Sequence, residues 1–154
     1  MSLNLNSNSP DETFRIGEKL GKLLKGREII FLSGDLGAGK TLLTKGLGKA
    51  IGIDPREIVS PSYTIMNIYD GKFRLYHIDL YRIGDSIDEA VPEIDDNLNT
   101  GIIVVEWARF IKKYYSGENN IIDIEIKVKA DSDSERSVSL SSESDLLKGL
   151  LSDL

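Results

Sequence analysis

Eight consecutive residues, Gly34-Asp35-Leu36-Gly37-Ala38-Gly39-Lys40-Thr41, follow the pattern of glycine, four residues, then Gly-Lys-Thr. Each part of that pattern serves phosphate binding. Glycines let the backbone curl so that successive N–H groups point inward at phosphate oxygens. A helix starting at Lys40 presents its unpaired N–H groups and the positive end of its dipole to the same anion. The Lys40 ammonium can reach outer phosphates, and the Thr41 hydroxyl can ligate Mg2+. The loop points to a nucleotide without choosing a reaction.

Hydrolysis at such a loop also needs a carboxylate at the end of a neighbouring strand, to hold the cation or its waters. Asp79 and Glu106 both fit, because each closes an apolar run. Glu106 ends the most apolar run of the chain, where a buried charge is costly without a cation. Asp79 can equally cap a turn or pair with Arg82. His77 reads as an oriented structural group rather than a catalyst. The segment Ser60-Pro61-Ser62-Tyr63-Thr64 lies between the phosphate-loop helix and the next hairpin, where proteins of this kind place a γ-phosphate-sensing loop. An ordinary polar turn has the same composition. Trp107 reads as a packing residue, although an aromatic beside Glu106 can also lie near a nucleotide.

The elements that must position these groups are legible from periodicity. Ser9-Pro10-Asp11-Glu12 has an N-cap residue, proline at the first helical position and glutamate three residues after the cap. A helix follows to the stop at Lys25-Gly26. Residues 28–33 form a short apolar run that reads as a buried strand leading directly into the glycine-rich loop. A helix over residues 40–51 comes next. Residues 65–82 read as a hairpin turning at Asp70-Gly71, with positive φ angles in a two-residue turn. In its second strand Phe73, Leu75, His77 and Asp79 share a face. Residues 85–96 carry six acids and no base, and read as a helical or irregular surface segment.

Residues 101–107 form a second continuous apolar strand, followed by a short helix over 108–115. Ile122, Ile124, Ile126 and Val128 alternate with charged residues, and Val138 and Leu140 alternate with serines, as a strand pair joined by a polar loop. The leucines of residues 143–154 have the spacing of an amphipathic C-terminal helix. Residues 1–9 are expected to be flexible. The order implies one α/β domain over 1–154, with a mixed parallel and antiparallel central sheet flanked by helices.

Composition narrows the chemistry from the other side. The 154 residues carry 25 acids against 19 bases, a formal charge of −6, with one His, one Trp and no Cys. Disulfides, thiolate metal sites and cysteine nucleophiles are excluded, and a lone histidine disfavours zinc clusters and His-dependent triads. The acidic balance disfavours unaided nucleic-acid binding. The acids concentrate in residues 85–96 and 131–154, which leaves a mildly basic body around the phosphate loop. No apolar run approaches the ~20 residues of a membrane span, and no signal peptide is visible, so a cytoplasmic location is expected.

Four elements together, Gly34 to Thr41, Ser60 to Thr64, His77-Ile78-Asp79-Leu80-Tyr81-Arg82 and Val105-Glu106-Trp107, resemble the bacterial tRNA threonylcarbamoyladenosine biosynthesis ATPase family, TsaE or YjeE. Order and spacing match over about residues 10–140, and Thr13…Gly17 and Arg136 also suit that family. The resemblance implies a small P-loop NTPase fold that hydrolyses ATP with Mg2+. It implies action with a TsaD-like transferase and a TsaB-like partner, which attach threonylcarbamoyl to the adenosine beside the anticodon. Transfer RNA would be met only through that assembly.

By motif match, Lys40, Asp79 and Glu106 would be catalytic, and Thr41 and Glu106 would hold Mg2+. Gly34, Asp35, Leu36, Gly37, Ala38, Gly39, Lys40, Thr41 and Leu42 would surround the nucleotide. Thr13 and Arg136 would lie beside base or ribose, and Asp79 would position the metal shell or the attacking water. Ser62 and Tyr63 stand where Thr and Phe are usual, and Ala108 where Pro is common. The choice of ATP rests on this resemblance, joined only by the lack of an Asn-Lys-x-Asp guanine-reading motif.

Two other readings share the loop. A small-molecule kinase would need an arginine-bearing lid, whereas Arg74, Arg82, Arg109 and Arg136 are scattered. A nucleotide-binding adaptor without turnover would need neither Asp79 nor Glu106.

Overall fold

The chain alternates strands and helices in a computed structural model that describes residues 1–61, 65–84 and 87–152. The elements are β1 (Ser2–Ser7), α1 (Pro10–Leu23), β2 (Ile29–Ser33), α2 (Lys40–Ala50), β3 (Met66–Asp70), β4 (Arg74–Asp79), α3 (Ala90–Asn97), β5 (Ile102–Glu106), β6 (Ile121–Val128), β7 (Arg136–Ser141) and α4 (Lys148–Leu151). The strands form one sheet in the order β1-β7-β6-β2-β5-β4-β3. The central strands β4, β5, β2 and β6 run parallel. Antiparallel strands finish each side: β3 beside β4, and β7 then β1 beside β6. This is the mixed α/β sheet that the periodicity implies.

The two continuous apolar runs became β2 and β5, the strands buried on both faces. On one face Ile30, Leu32, Leu75, Ile102, Val104 and Ile124 pack against α1 and α2 through Ile16, Leu20, Leu43 and Leu47. On the other face Ile29, Phe31, Tyr76, Ile78, Ile103 and Val105 pack beneath Ala90 and Ile94 of α3 and Ile111 and Tyr115. Helices α1 and α2 lie backbone to backbone. A Cβ at Gly17 would fall 2.0 Å from the Leu43 carbonyl oxygen, and one at Gly46 equally close to the Phe14 carbonyl oxygen.

Four expectations are corrected. Residues 1–9 hold β1, an edge strand paired with β7 along Ser2–Ser7, because Leu3 and Leu5 pack against the core. Ser9 caps α1 by accepting from Glu12 N at 3.2 Å, while the Glu12 carboxylate reaches Asn8 N at 2.7 Å.

The β3–β4 connection has three residues, 71–73, between the paired Asp70 and Arg74, and Gly71 has no positive φ. Glycine is required there for close approach: a Cβ would lie 2.4 Å from the Ile51 carbonyl oxygen, to which Lys72 N donates at 2.6 Å. The expected helix over 108–115 is two 3-10 turns, Ala108–Phe110 and Lys112–Tyr115.

The expected helix over 143–154 is a 3-10 turn, Asp145–Leu147, followed by the single turn of α4. Leu147 and Leu150 are buried in the core on the α1 side, whereas Leu151 is exposed. The acidic segment expected at 85–96 is a 3-10 turn, Ile87–Glu89, running into α3, which buries Ala90 and Ile94. Asp85, Ser86, Asp153 and Leu154 lie outside the described residues.

Candidate active site

The chain leaves β2 at Ser33 and re-enters regular structure at Lys40, so the eight-residue loop spans a strand end and a helix start. Its glycines carry the turn: Gly34, Gly37 and Gly39 have φ of 152°, 80° and 110°. Gly37 and Gly39 are in the left-handed region that side chains disfavour. A Cβ on Gly37 would meet nothing within 4 Å, so the hollow of the loop opens there to solvent. Gly39 is the N-cap of α2 and no side chain caps that helix. Its first N–H groups are therefore left for an anion. Ala38 packs inward while Leu36 at the loop tip is 71% exposed. Leu42 follows on the first turn of α2, half-buried.

Lys40 is buried, with its ammonium donating to the Gly34 carbonyl at 2.5 Å and lying 4.4 Å from the centre of the Trp107 ring. That ring stacks at an angle on Tyr81, 4.9 Å away, and Trp107 itself has φ 58°. The lysine thus ties the end of the loop back to its beginning, with its ammonium inside the curl. Thr41 shares a 2.8 Å hydrogen bond with Ser60. Pro61 is buried beside it, and the remaining positions of the expected sensing loop, Ser62, Tyr63 and Thr64, lie outside the described residues. Val59 is held to β3 by the Tyr69 hydroxyl, which accepts from Val59 N at 3.2 Å and donates to Val59 O at 3.3 Å.

The two carboxylates arrive on adjacent parallel strands. Asp79 pairs with Glu106 across β4 and β5, and Glu106 pairs with Leu32 of β2 just before the loop. Parallel partners point the same way, so both side chains share the α2 face with Lys40. Glu106 is 2% exposed, and its Oε2 lies 2.5 Å from His77 Nε2. Asp79 accepts from Tyr81 N at 3.0 Å. Burial pushes the Asp79 carboxyl above its ordinary range, the hydrogen bond from Tyr81 pulls it back, and the Glu106 carboxylate raises it further.

Thr13 and Arg136 reach the loop from outside. Thr13 is buried, its hydroxyl sharing a 2.7 Å hydrogen bond with Ser7, and its methyl group lies 3.5 Å from where a Cβ on Gly39 would sit. Arg136 donates from Nε to the Ala38 carbonyl at 3.0 Å and from Nη2 to the Gly37 carbonyl at 3.5 Å. Its Nη1 holds the Asp133 and Glu135 carbonyls at 2.9 and 3.1 Å. It braces the loop from β7.

The residues fit a nucleotide with its cation. An uncapped helix start, a left-handed glycine cradle, a buried lysine and two carboxylates converge at the carboxyl ends of β2, β5 and β4. A trough of about 550 Å3, lined in part by Phe31, Lys112, Asp123 and Ser141, includes none of these groups. Two of its lining residues, Lys112 and Asp123, pair with each other at 2.7 Å. Convergent chemistry, not volume, selects the site. The sequence reads His77 as an oriented structural group, but not as the partner of Glu106. Its place two residues before Asp79 on the same strand face was the signal that tied it to the site.

Comparison with known proteins points the same way. The family described as "Threonylcarbamoyl adenosine biosynthesis protein TsaE" matches residues 7–138. The tRNA threonylcarbamoyladenosine biosynthesis protein TsaE of Aquifex aeolicus is 41% identical over 101 residues, 64% of this chain and 71% of that protein. The protein of the same name from Synechocystis is 47% identical over 96 residues, 59% of this chain and 60% of its own length. A crystal structure of Bacillus subtilis YdiB superposes with a TM-score of 0.72 at 30% identity, covering 99% of this chain and 93% of that one.

Proposed function

The chain belongs to the TsaE family of threonylcarbamoyl adenosine biosynthesis proteins, and on that premise we propose that it is a Mg2+-dependent ATPase of tRNA threonylcarbamoyladenosine formation. It would work in the cytoplasm with a TsaD-like transferase and a TsaB-like partner, meeting tRNA only through them. The observation that carries this reading is Glu106, a carboxylate buried at the end of β5, one strand from the phosphate loop. Burying that charge costs several kcal/mol unless donors or a cation offset it, and a cation held there beside the phosphates favours hydrolysis over a phosphate loop that only binds. No helix among the described residues is long and apolar enough to cross a membrane.

On this reading each group has a role. The N–H groups at the start of α2 and the curled backbone of Gly37 to Thr41 bind the phosphates. Lys40, whose ammonium lies beside the Gly34 carbonyl, donates to phosphate oxygens, a charge-assisted contact. Thr41 and Glu106 would hold Mg2+, which supplies charge neutralisation on the phosphates. Asp79 is half-buried beside them and orients water at the site. Thr13 and Arg136 fix the loop and flank the base or ribose.

The test is ATP hydrolysis by the purified chain, alone and with its TsaD-like and TsaB-like partners. Turnover should be weak alone, rise with the partners, and vanish in Lys40→Ala. Turnover no greater than that of Lys40→Ala would overturn the reading.

A further inference from the structure

His77 carries an unusual combination. It is the only histidine of the chain and is fully buried in β4. One ring nitrogen meets the Glu106 carboxylate at 2.5 Å, while the other, Nδ1, is buried with no hydrogen-bond partner among the described residues. A buried N–H without an acceptor costs about 1–3 kcal/mol, more than a bare ring lone pair. The proton therefore belongs on Nε2, where a carboxylate acceptor waits, and Nδ1 carries only its lone pair.

The register explains why the contact forms. His77 pairs with Val104 and Asp79 with Glu106, so the histidine sits one side-chain step behind the carboxylate on the same face. The 2.5 Å contact ties one oxygen of Glu106 to the ring.

We propose that His77 is the positioning residue of the site: through Nε2–H it fixes one oxygen of Glu106 and so sets the orientation in which that carboxylate meets a divalent cation. The inference rests on the ATPase reading for its consequence, but not for the contact itself. Histidine here orients the ligand, as the partners behind metal-ligating groups commonly do, and the loss of such a partner weakens metal affinity or activity about 10–100-fold.

Two measurements test it. Because the chain has a single histidine, long-range 1H–15N spectra of the labelled, metal-free and nucleotide-free wild-type protein report one imidazole. The expected spectrum is a fixed Nε2–H tautomer whose shifts change in Glu106→Gln. An Nδ1–H tautomer, averaged tautomers, or shifts indifferent to Glu106→Gln would overturn the proposal.

The second measurement is the Mg2+ dependence of hydrolysis at saturating ATP. His77→Leu should raise the Mg2+ concentration for half-maximal rate about 10–100-fold. His77→Gln, whose amide N–H reaches the same oxygen, should restore most of it, with metal-free nucleotide affinity unchanged in both. Equal losses in His77→Leu and His77→Gln would reduce His77 to packing and overturn the proposal. A wild-type chain without ATP turnover would sink the ATPase reading, and the ligand-free spectrum would still decide the pairing.

Discussion

Replacing Gly17 by alanine sets two effects of opposite sign against each other. Alanine is the better helix former, worth about 1 kcal/mol over glycine inside a helix such as α1. The structure opposes it. A Cβ at position 17 would lie 2.0 Å from the Leu43 carbonyl oxygen, 2.9 Å from its carbon and 3.1 Å from Leu47 N. All three are backbone atoms of α2, so no side-chain rotation relieves them. The two helices would have to part by about 1 Å to bring the shortest contact to the 3.0 Å limit of real Cβ atoms.

Parting opens an interface in which Ile16, Leu20, Leu43 and Leu47 are all buried. Overpacking of this kind costs about 1–3 kcal/mol, and rigid backbone puts it at the upper end. Net of the propensity gain, Gly17→Ala should be destabilised by about 2 kcal/mol, a fall of roughly 4–8 °C in Tm for a chain of this length. Nucleotide affinity should fall too, because Thr13 on α1 abuts Gly39 at the start of α2. Circular dichroism melts with Gly117→Ala as the control suffice, since a Cβ at 117 would meet nothing within 4 Å. A Tm of Gly17→Ala at or above wild type would mean that helix propensity wins and that the close approach does not hold α2 in place.

Arg136→Ala should loosen the loop that Arg136 braces at Gly37 and Ala38 and weaken nucleotide binding by about 1 kcal/mol, roughly fivefold by titration calorimetry. Arg136→Lys should not restore it, because one ammonium cannot span those carbonyls and also hold Asp133 and Glu135. Asp79→Asn keeps the acceptor for Tyr81 N and removes a carboxyl whose folded pKa lies above the ordinary 3.8. With a raised folded pKa, the native state is favoured below 3.8 and loses that advantage as pH rises through the folded value. The variant should therefore melt higher than wild type at pH 7, with the gain shrinking as pH falls toward 3.8, while ATP hydrolysis is lost.

Much of this could be read before any coordinates, and the boundary is physical. The phosphate loop was legible because its glycines, lysine and threonine answer local demands of turn and helix start. Strands β2 and β5 were legible because burial on both faces forces a continuous apolar run. Strand β1 was not, because an edge strand with only Leu3 and Leu5 turned inward has too weak an alternation to declare itself. The role of Gly71 was misread as a turn requirement, since the carbonyl it approaches belongs to Ile51, twenty residues earlier. His77 and Arg136 depend on partners 29 and 98 residues away, at Glu106 and Ala38, which only strand pairing brings within reach.

The location of the site follows from where the chain crosses the sheet. From β2 the chain passes through the phosphate loop to α2 on one face. From β5, its immediate neighbour, it turns at Trp107 to the 3-10 turns on the other face, and from β4 it likewise reaches α3 on that face. Neighbouring parallel strands whose connections diverge to opposite faces leave a crevice at their carboxyl ends. Residues at those ends face it, and among the described residues they include the loop itself, Glu106 closing β5 and Asp79 closing β4. A charge placed one pleat earlier would lie in the packed core among residues such as Leu75 and Val104, without access to phosphate. His77 occupies that earlier position, and from the core its ring reaches forward to Glu106 at 2.5 Å, so it touches the crevice only through that carboxylate.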